Sequence, residues 1–310
     1  MHYLDFEDNI RAVDEHLAQP NLPESEVKRL NNKLKRLIER TYQRLTPWQR
    51  TQIARHEDRP HTLDYIRELM PDFFELSGDK VFGDDKAIIA GLAHFHDRTL
   101  LVIGHEKGNS TETRMQHNFG MARPEGYRKA IRLMKLAEQF GFPVLTFIDT
   151  AGAFPGVDAE ARGQGQAIAE CIATQVNLKV PIISTIIGEG GSGGAVALAV
   201  GNKVLMMENA VYSVISPEGC ASILWKDFKY AKHASRVLKL TAKDLLRFHI
   251  IDEIIPERLG GAHRFKKEAF QAVDAAILKA IEATDKISPE NLVLTRKNKF
   301  LQIGQSVSKK

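Results

Sequence analysis

Ile187 to Ala195, I-G-E-G-G-S-G-G-A, is the stretch that decides the fold of this chain. The apolar run Pro181 to Ile187 precedes it and the small residues Ala195 to Val200 follow. Gly188, Gly190, Gly191, Gly193 and Gly194 leave the backbone with little side-chain cover, so the N–H groups that open the next helix can approach an anionic or developing oxygen. A strand that runs through such a turn into a helix belongs to an α/β fold with its site at the carboxyl edge of the sheet.

The pattern outside the turn agrees. Ala87 to Phe95 and Leu100 to His105 are apolar runs joined by His96-Asp97-Arg98, which predicts a hairpin. Pro124 opens a helix with Glu125 in its first turn, Tyr127, Ile131, Met134 and Phe140 on its buried side, and Gly141 past its end. Strands at Val144 to Ile148, Ile182 to Ile187, Val204 to Met207 and Val211 to Ile215 then alternate with helices near Asp158 to Val176 and Ala195 to Val200. A helix at Thr241 to Phe248 leads into a strand at Ile250 to Ile255. Crossover helices between strands imply parallel pairing with both sheet faces covered. Before this region, residues 1–56 read as a helical extension. Val27, Leu30, Leu34, Leu37 and Ile38 line one face of a helix whose Lys28, Arg29, Lys33, Lys35 and Arg36 form a solvated face rather than a nucleic-acid site. Residues 57–287 form the main domain, and the polar stretch 288–310 reads as a weakly ordered tail.

Three chemistries fit the glycine-rich turn. Gly188, Gly190 and Gly193 match the dinucleotide fingerprint, with Glu208 near the ribose-binding position, but only about two helical turns fit between Gly194 and Gly201, short for such a crossover. Gly190, Ser192 and Gly194 match a nucleophile elbow, for which His233, His249 or His263 with Asp227, Asp244 or Asp252 would have to complete a triad. The third chemistry is an oxyanion hole built from the backbone N–H groups of Gly193, Gly194 and Ala195, where one donor is worth about 3 kcal/mol of barrier. A second turn, Asp149 to Gly156 (D-T-A-G-A-F-P-G), also ends a strand, so Gly152 and Ala153 are expected to line the same cleft. Asp149 is expected to fix that turn by accepting backbone hydrogen bonds, and Glu189 to make a turn or interface contact.

With 43% hydrophobic and 26% charged residues the chain has the composition of a globular protein, and no apolar run reaches the ~18 residues a membrane span needs. The N-terminus lacks a signal-peptide pattern, and a cytoplasmic location is expected. Cys171 and Cys220, the only cysteines, sit among small or apolar neighbours and read as inert thiols, and no metal is expected in this chain. The net charge of +4 is compatible with phosphorylated small molecules.

Arg123 to Ala137 (R-P-E-G-Y-R-K-A-I-R-L-M-K-L-A), Phe147 to Gly156, Ile187 to Ala195, Tyr212 to Lys226 (Y-S-V-I-S-P-E-G-C-A-S-I-L-W-K) and Ile250 to Glu257 (I-I-D-E-I-I-P-E) together resemble the carboxyltransferase alpha subunit of bacterial acetyl-CoA carboxylase. The resemblance begins near residue 25 and runs to about 270. It implies a crotonase-type, ClpP-like spiral of ββα units. It also implies an α2β2 assembly with a homologous, zinc-containing beta chain, and an active site between the two. Carboxybiotin on a biotin carboxyl carrier protein would release CO2 there, acetyl-CoA would lose a methyl proton to the ureido nitrogen, and the enolate would attack CO2 to give malonyl-CoA. ATP would be used only by the separate biotin carboxylase component. On this reading Gly193, Gly194 and Ala195 polarise the biotin carbonyl, Gly190 and Gly191 lie on the carboxybiotin side, and the beta chain holds the thioester enolate. Biotin then supplies the base, so the chain needs no acid–base pair of its own. Lys107, Arg114 and Arg123 are candidate contacts to CoA. Three positions depart from the family pattern: Ala151 and Phe154 stand where proline and tyrosine are usual, and His249 where glycine is usual. The alternatives are a serine hydrolase using Ser192 and a non-catalytic crotonase-like scaffold subunit.

Overall fold

The computed structural model describes residues 2–305. Its sheet has strands β1 (Phe74–Glu75), β2 (Ile88–Phe95), β3 (Arg98–His105), β4 (Val144–Thr150), β5 (Ile182–Gly191), β6 (Lys203–Met207), β7 (Val211–Ser213) and β8 (Glu253–Ile255). The order is β1-β2-β3-β4-β5-β6-β8, with β7 paired to the far end of β5. β2 and β3 form the expected hairpin, in register from Ile88 opposite His105 to Phe95 opposite Arg98. Its turn is closed by His96 at φ +53°. From β3 onward the path β3-β4-β5-β6-β8 is parallel. Every residue of β4 and β5 is buried, as a strand covered on both faces requires.

β5 determines where the site lies. It runs four residues beyond the expected Ile187, so Gly188 to Gly191 are strand rather than turn, and its last three residues pair with β7. The helix that follows is one short piece, Ser192–Val196, starting and ending earlier than the Ala195 to Val200 span read from the sequence. The expected helix at 158–176 is likewise two, Val157–Ala161 and Gln164–Asn177, because Gly163 adopts φ +83° between them.

The helix Pro124–Phe140 starts on proline and closes on Gly141 at φ +72°, as its sequence signals dictate. Tyr127, Ile131 and Met134 face the core, but Phe140 does not. It is 65% exposed at the fraying last turn and stacks on Phe142 instead. The stretch after residue 288 also departs from expectation. Pro289–Gln302 is a helix with Ser288 as its cap, held by buried Leu292 and Arg296. Arg296 donates to the carbonyls of Gln175 (2.5 Å), Leu178 (2.7 Å) and Val180 (2.9 Å), closing the C-terminal end of the helix Gln164–Asn177. Residues 306–310 of the expected tail lie outside the described residues.

At the other end, the helix Glu24–Tyr42 packs Leu34, Leu37 and Ile38 against a small cluster of Ile10, Tyr42 and Ile53, and leaves Lys28, Arg29, Lys33, Lys35 and Arg36 at least partly exposed. The next helix, Pro47–Ala54, reaches the main sheet: Arg50 bonds the Glu208 carbonyl (2.9 Å) and Asn209 (2.6 Å). Buried Arg59 donates to the Ile187 carbonyl (2.7 Å) and pairs with buried Glu257 (2.7 Å). No described helix is long and apolar enough to cross a membrane.

Candidate active site

The two glycine-containing turns interlock. A Cβ placed on Gly191 would lie 2.1 Å from the Ala151 carbonyl oxygen, and one on Gly194 would lie 2.6 Å from the Gly152 carbonyl carbon and 2.7 Å from the Ala153 nitrogen. Gly188 has the same constraint from below, 2.4 Å from Asp149 Oδ1. Backbone cannot give way as a flexible side chain can, and Asp149 is itself pinned, so glycine is required at these three positions. Gly193 differs: its Cβ would meet only Ile168 at 3.7 Å, an ordinary contact. Gly152, at φ +155°, has its N–H bonded to Thr150 Oγ1 (3.1 Å) while that hydroxyl donates to the Gly152 carbonyl (2.7 Å). Gly152 therefore has no free N–H to offer a ligand, and of residues 151–153 only Ala151 lines the neighbouring cleft.

The helix Ser192–Val196 is capped at Gly191, which puts the Gly193 and Gly194 N–H groups ahead of the first intrahelical bond. Ala195 falls at the position that ordinarily makes that bond, so helix register favours the two glycines over Ala195 as donors.

Asp149 is the hub beneath the turns. It accepts from the Glu189 N–H (2.9 Å), from Lys107 Nζ (2.7 Å) and from His61 Nδ1 (3.0 Å). Burial raises a carboxyl's pKa, but the Lys107 ammonium and the His61 bond outweigh it and hold Asp149 well below the usual carboxylate range. The expected backbone role of Asp149 is thus present, together with cationic and imidazole partners that lie far away in sequence. Glu189 accepts two bonds from Arg55 (2.9 and 2.7 Å) and lies 3.6 Å from Lys107, and Arg55 also grips Glu218 (2.6 Å) at the start of the helix Pro217–Trp225. Glu189 is a structural ion-pair partner, tying the end of β5 to its surroundings.

These groups border a cleft of ≈ 530 Å³ whose walls include Arg55, His61, Lys107, Arg114, Ala151 and Glu189. Of the three candidate CoA contacts, Lys107 is committed to Asp149 and Glu189 at the base, and Arg114 sits on the rim with only a 3.9 Å approach to Glu57. Arg123 does not line the cleft. It pairs with Asp158 and lies over the Phe154 ring at 4.1 Å, so the phenylalanine that replaces the usual tyrosine serves as a platform for a cation. His249 adopts φ +57°, the left-handed conformation in which glycine is favoured.

No triad assembles around Ser192, which is exposed at φ +51°. His233 packs edge-on against Trp225, and His263 stacks on His56 at 4.1 Å. Asp227 caps its own turn, the Asp244 carboxylate accepts from the hydroxyl of the N-cap Thr241 (2.8 Å), and Asp252 holds the Val204 N–H and Lys299. What the sequence reading missed is the Asp149–His61 pair, an acid–imidazole couple whose imidazole lines the cleft while the carboxylate lies buried behind it. A signal for it exists, since an aspartate in the otherwise apolar β4 must find partners when buried.

One group with the spacing of metal ligands, Glu7, His56 and His263, is buried beside the N-terminal helices. Glu7 is already bonded to Tyr42 (2.8 Å) and Arg264 (3.1 Å), both nitrogens of His56 are engaged, and the two imidazoles are stacked face to face. The filled carboxylate and stacked rings make the group a packing cluster, in which His263 Nδ1 is left without a hydrogen-bond partner. Cys171 donates to the Ala197 carbonyl (3.0 Å), and burial pushes its thiol up to about 12.

The architecture recurs in carboxyltransferases. The transcarboxylase 12S structure with methylmalonyl-coenzyme A bound aligns with a TM-score of 0.60 at 16% identity, covering 73% of this chain and 41% of that one. The beta subunit of P. aeruginosa geranyl-CoA carboxylase aligns at 0.56 and 15% identity, over 80% of this chain and 46% of its own. At such identities the likeness establishes the crotonase-type fold. Sequence goes further. The family described as acetyl co-enzyme A carboxylase carboxyltransferase-like matches residues 2–304. The acetyl-coenzyme A carboxylase carboxyl transferase subunit alpha of Paramagnetospirillum magneticum is 52% identical over 315 aligned residues, 99% of each chain. That of Zymomonas mobilis is 52% identical over 309, covering 97% of this chain and 99% of its own. The chain belongs to the family of acetyl-CoA carboxylase carboxyltransferase alpha subunits.

Proposed function

We propose that this chain is the alpha half of an acetyl-CoA carboxylase carboxyltransferase, moving the carboxyl group from carboxybiotin on a separate carrier protein to acetyl-CoA and so making malonyl-CoA for fatty acid synthesis. The observation that carries this reading is the interlock of the two turns. Gly191 and Gly194 lie against the 151–153 backbone so closely that no side chain fits, and the Gly193 and Gly194 N–H groups fall ahead of the first intrahelical bond, connected to Ala151 and Glu189 of the cleft only through their packing partners. Such donors stabilise charge on a carbonyl oxygen and require no nucleophile. Carboxybiotin brings the transferable carboxyl and a ureido nitrogen to receive the methyl proton. This chain's residues orient that headgroup: Gly190 and Gly191 form the wall on its side, Gly193 and Gly194 face its carbonyl, and Asp149 with Lys107 and Arg55 fixes the strand end that presents them. The hydrolase alternative lacks a histidine for Ser192.

The other half of the site belongs to a homologous zinc-containing beta chain in an α2β2 assembly, and ATP is consumed only at the biotin carboxylase component. Support for a composite site comes from the segment after β7. Val214, Ile223, Leu224, Phe228 and Val237 are all at least half exposed there, next to the strand that pairs with Glu189, Gly190 and Gly191.

Pure alpha chain is expected to make no malonyl-CoA. Activity should appear on titration with the beta chain and saturate at equal subunit numbers. Sustained transfer by the alpha chain alone, with contaminating beta excluded by mass spectrometry, would overturn the two-chain site. Gly194→Val in the assembled complex should lower turnover at least about 10²-fold.

A further inference from the structure

His61, in the wall of the cleft, has a buried polar atom that nothing engages. Its ring is more than nine-tenths buried, its Nδ1 lies 3.0 Å from Asp149 Oδ2, and its Nε2 has no hydrogen-bond partner. An ionised carboxylate only accepts, so Nδ1 donates to Asp149, and in that tautomer Nε2 carries the lone pair. A buried acceptor left alone is costly, and in native structures it has a partner in some state of the protein.

The neighbouring charges narrow the choice of ligand. Arg55 is taken up by Glu189 and Glu218, and Lys107 by Asp149 and Glu189, which leaves Arg114 on the rim as the cleft's loosely paired cation. What His61 offers is an acceptor, which selects a neutral polar group bearing an N–H. Ala151, on the same wall, leads into Gly152 and Ala153, which pack on Gly194. A cyclic urea presents both complements at once, a carbonyl for backbone donors and a ring N–H for an acceptor.

We propose that His61, oriented by Asp149, accepts a hydrogen bond from the ureido N–H of the biotin headgroup, on the nitrogen that does not carry the carboxyl group, and so sets which face of the headgroup meets the glycine turn. This rests on the carboxyltransferase reading above and adds a specificity-determining residue to it. His61 is a ligand contact and takes no part in proton transfer to acetyl-CoA.

The test is a binding measurement on the reconstituted complex with the beta chain. Free biotin and biotin methylated at that ring nitrogen are titrated by calorimetry into wild type, His61→Ala and His61→Gln, with acetyl-CoA as a control ligand. One such bond corresponds to roughly a tenfold change in Kd. Wild type should prefer biotin about tenfold over the methylated analogue. His61→Ala should weaken biotin by a similar factor and bind the two compounds equally, while His61→Gln, whose side-chain carbonyl still accepts, should keep part of the preference. Acetyl-CoA binding should be the same in all three. Equal affinity of wild type for both compounds overturns the proposal, as does a preference that survives intact in His61→Ala. If His61→Ala does not assemble, the wild-type ratio and His61→Gln still decide. A complex that makes malonyl-CoA but fails these ratios removes His61 alone, whereas a wild-type complex that neither binds biotin nor makes malonyl-CoA removes both readings.

Discussion

Two buried carboxylates, Asp149 and Glu7, sit in clusters built from the same parts and end in different states. Each meets a cation, Lys107 or Arg264, and each has a histidine nearby. Around Glu7 the groups are turned on one another: Tyr42 and Arg264 fill the carboxylate, His56 and His263 stack ring on ring, and the one His263 nitrogen without a partner, Nδ1, belongs to a residue that does not line the cleft. Around Asp149 the partners are strung along the edge of a cleft, and a ring nitrogen of His61 is left without one. The first cluster joins the N-terminal helices to Arg264, and the second borders the cleft with His61, Lys107 and Glu189. Composition does not separate the two, because the difference lies in whether the group's remaining valence faces protein or a cavity.

The largest contrast should come from neutralising each carboxylate. Asp149→Asn strands Lys107 and disturbs the Glu189 N–H contact, and is expected to lower malonyl-CoA formation at least about 10²-fold, because shifts of about 1 Å at a reacting centre cost that much. Glu7→Gln leaves Arg264 buried without its full partner and should lower unfolding free energy by about 3 kcal/mol. Its turnover in the assembled complex should stay within about twofold. Denaturant unfolding and steady-state assays on both variants decide the matter, and equal losses of turnover would erase the distinction between the clusters.

Acid should strike the Glu7 cluster first. Burial pushes His263 down to about 2, with the His56 ring and the neighbouring arginines adding to the effect, and burial lowers His56 as well. In the unfolded chain both titrate near 6.5, so above that pH neither state binds the proton and below it only the unfolded state does. Stability should therefore fall as pH drops through about 6.5, by up to roughly 1.4 kcal/mol per pH unit for each ring. Asp149 is shifted in the same direction from a carboxylate's lower ordinary value, so its stabilisation is present above about 4 and is lost only at lower pH. Thermal melts from pH 7 to 5 should show the slope, and His263→Phe, which keeps a stacked ring, should flatten it. An unchanged slope in that variant would place the titration elsewhere.

The smallest effect is expected at Ser192. Ser192→Ala should keep turnover within about twofold, as for an exposed side chain without partners, and a fluorophosphonate probe should leave the wild type unlabelled. Loss of activity on the scale of a missing nucleophile, about 10⁴-fold or more, would restore the hydrolase.

The sheet was legible because its signals are local. Unbroken apolar runs at 144–148 and 182–187, and glycines spaced through 188–194, need no knowledge of distant contacts. Much of the site was not. Arg55, Arg59 and His61 belong to or border a segment that reads as a polar helical extension, and they meet Glu189, Glu257 and Asp149 across 134, 198 and 88 residues. Charge pairing over such distances leaves no periodicity to detect. The C-terminal stretch is a different kind of miss. Its polar composition suggests a loose tail, yet Ser288-Pro289-Glu290 has the signature of a helix start and Leu292 and Arg296 lie one turn apart. Phe140 shows the converse limit, since a helix's last turn can carry the right residue at the right spacing and still emerge into solvent.

Arg296 gives the molecule an order of assembly. Its guanidinium, pushed down to about 10 by burial, closes on the carbonyls of Gln175, Leu178 and Val180. The side-chain amide of Gln175 holds the Ala197 carbonyl and the Val200 N–H, just beyond the helix that carries Gly193 and Gly194. Gln175 is synthesised 121 residues before the arginine that caps it. On the ribosome, therefore, the glycine turn emerges early but its supporting helix stays unlatched until Arg296 has followed. A nascent chain stalled before residue 296 should present an immature turn to any partner that arrives.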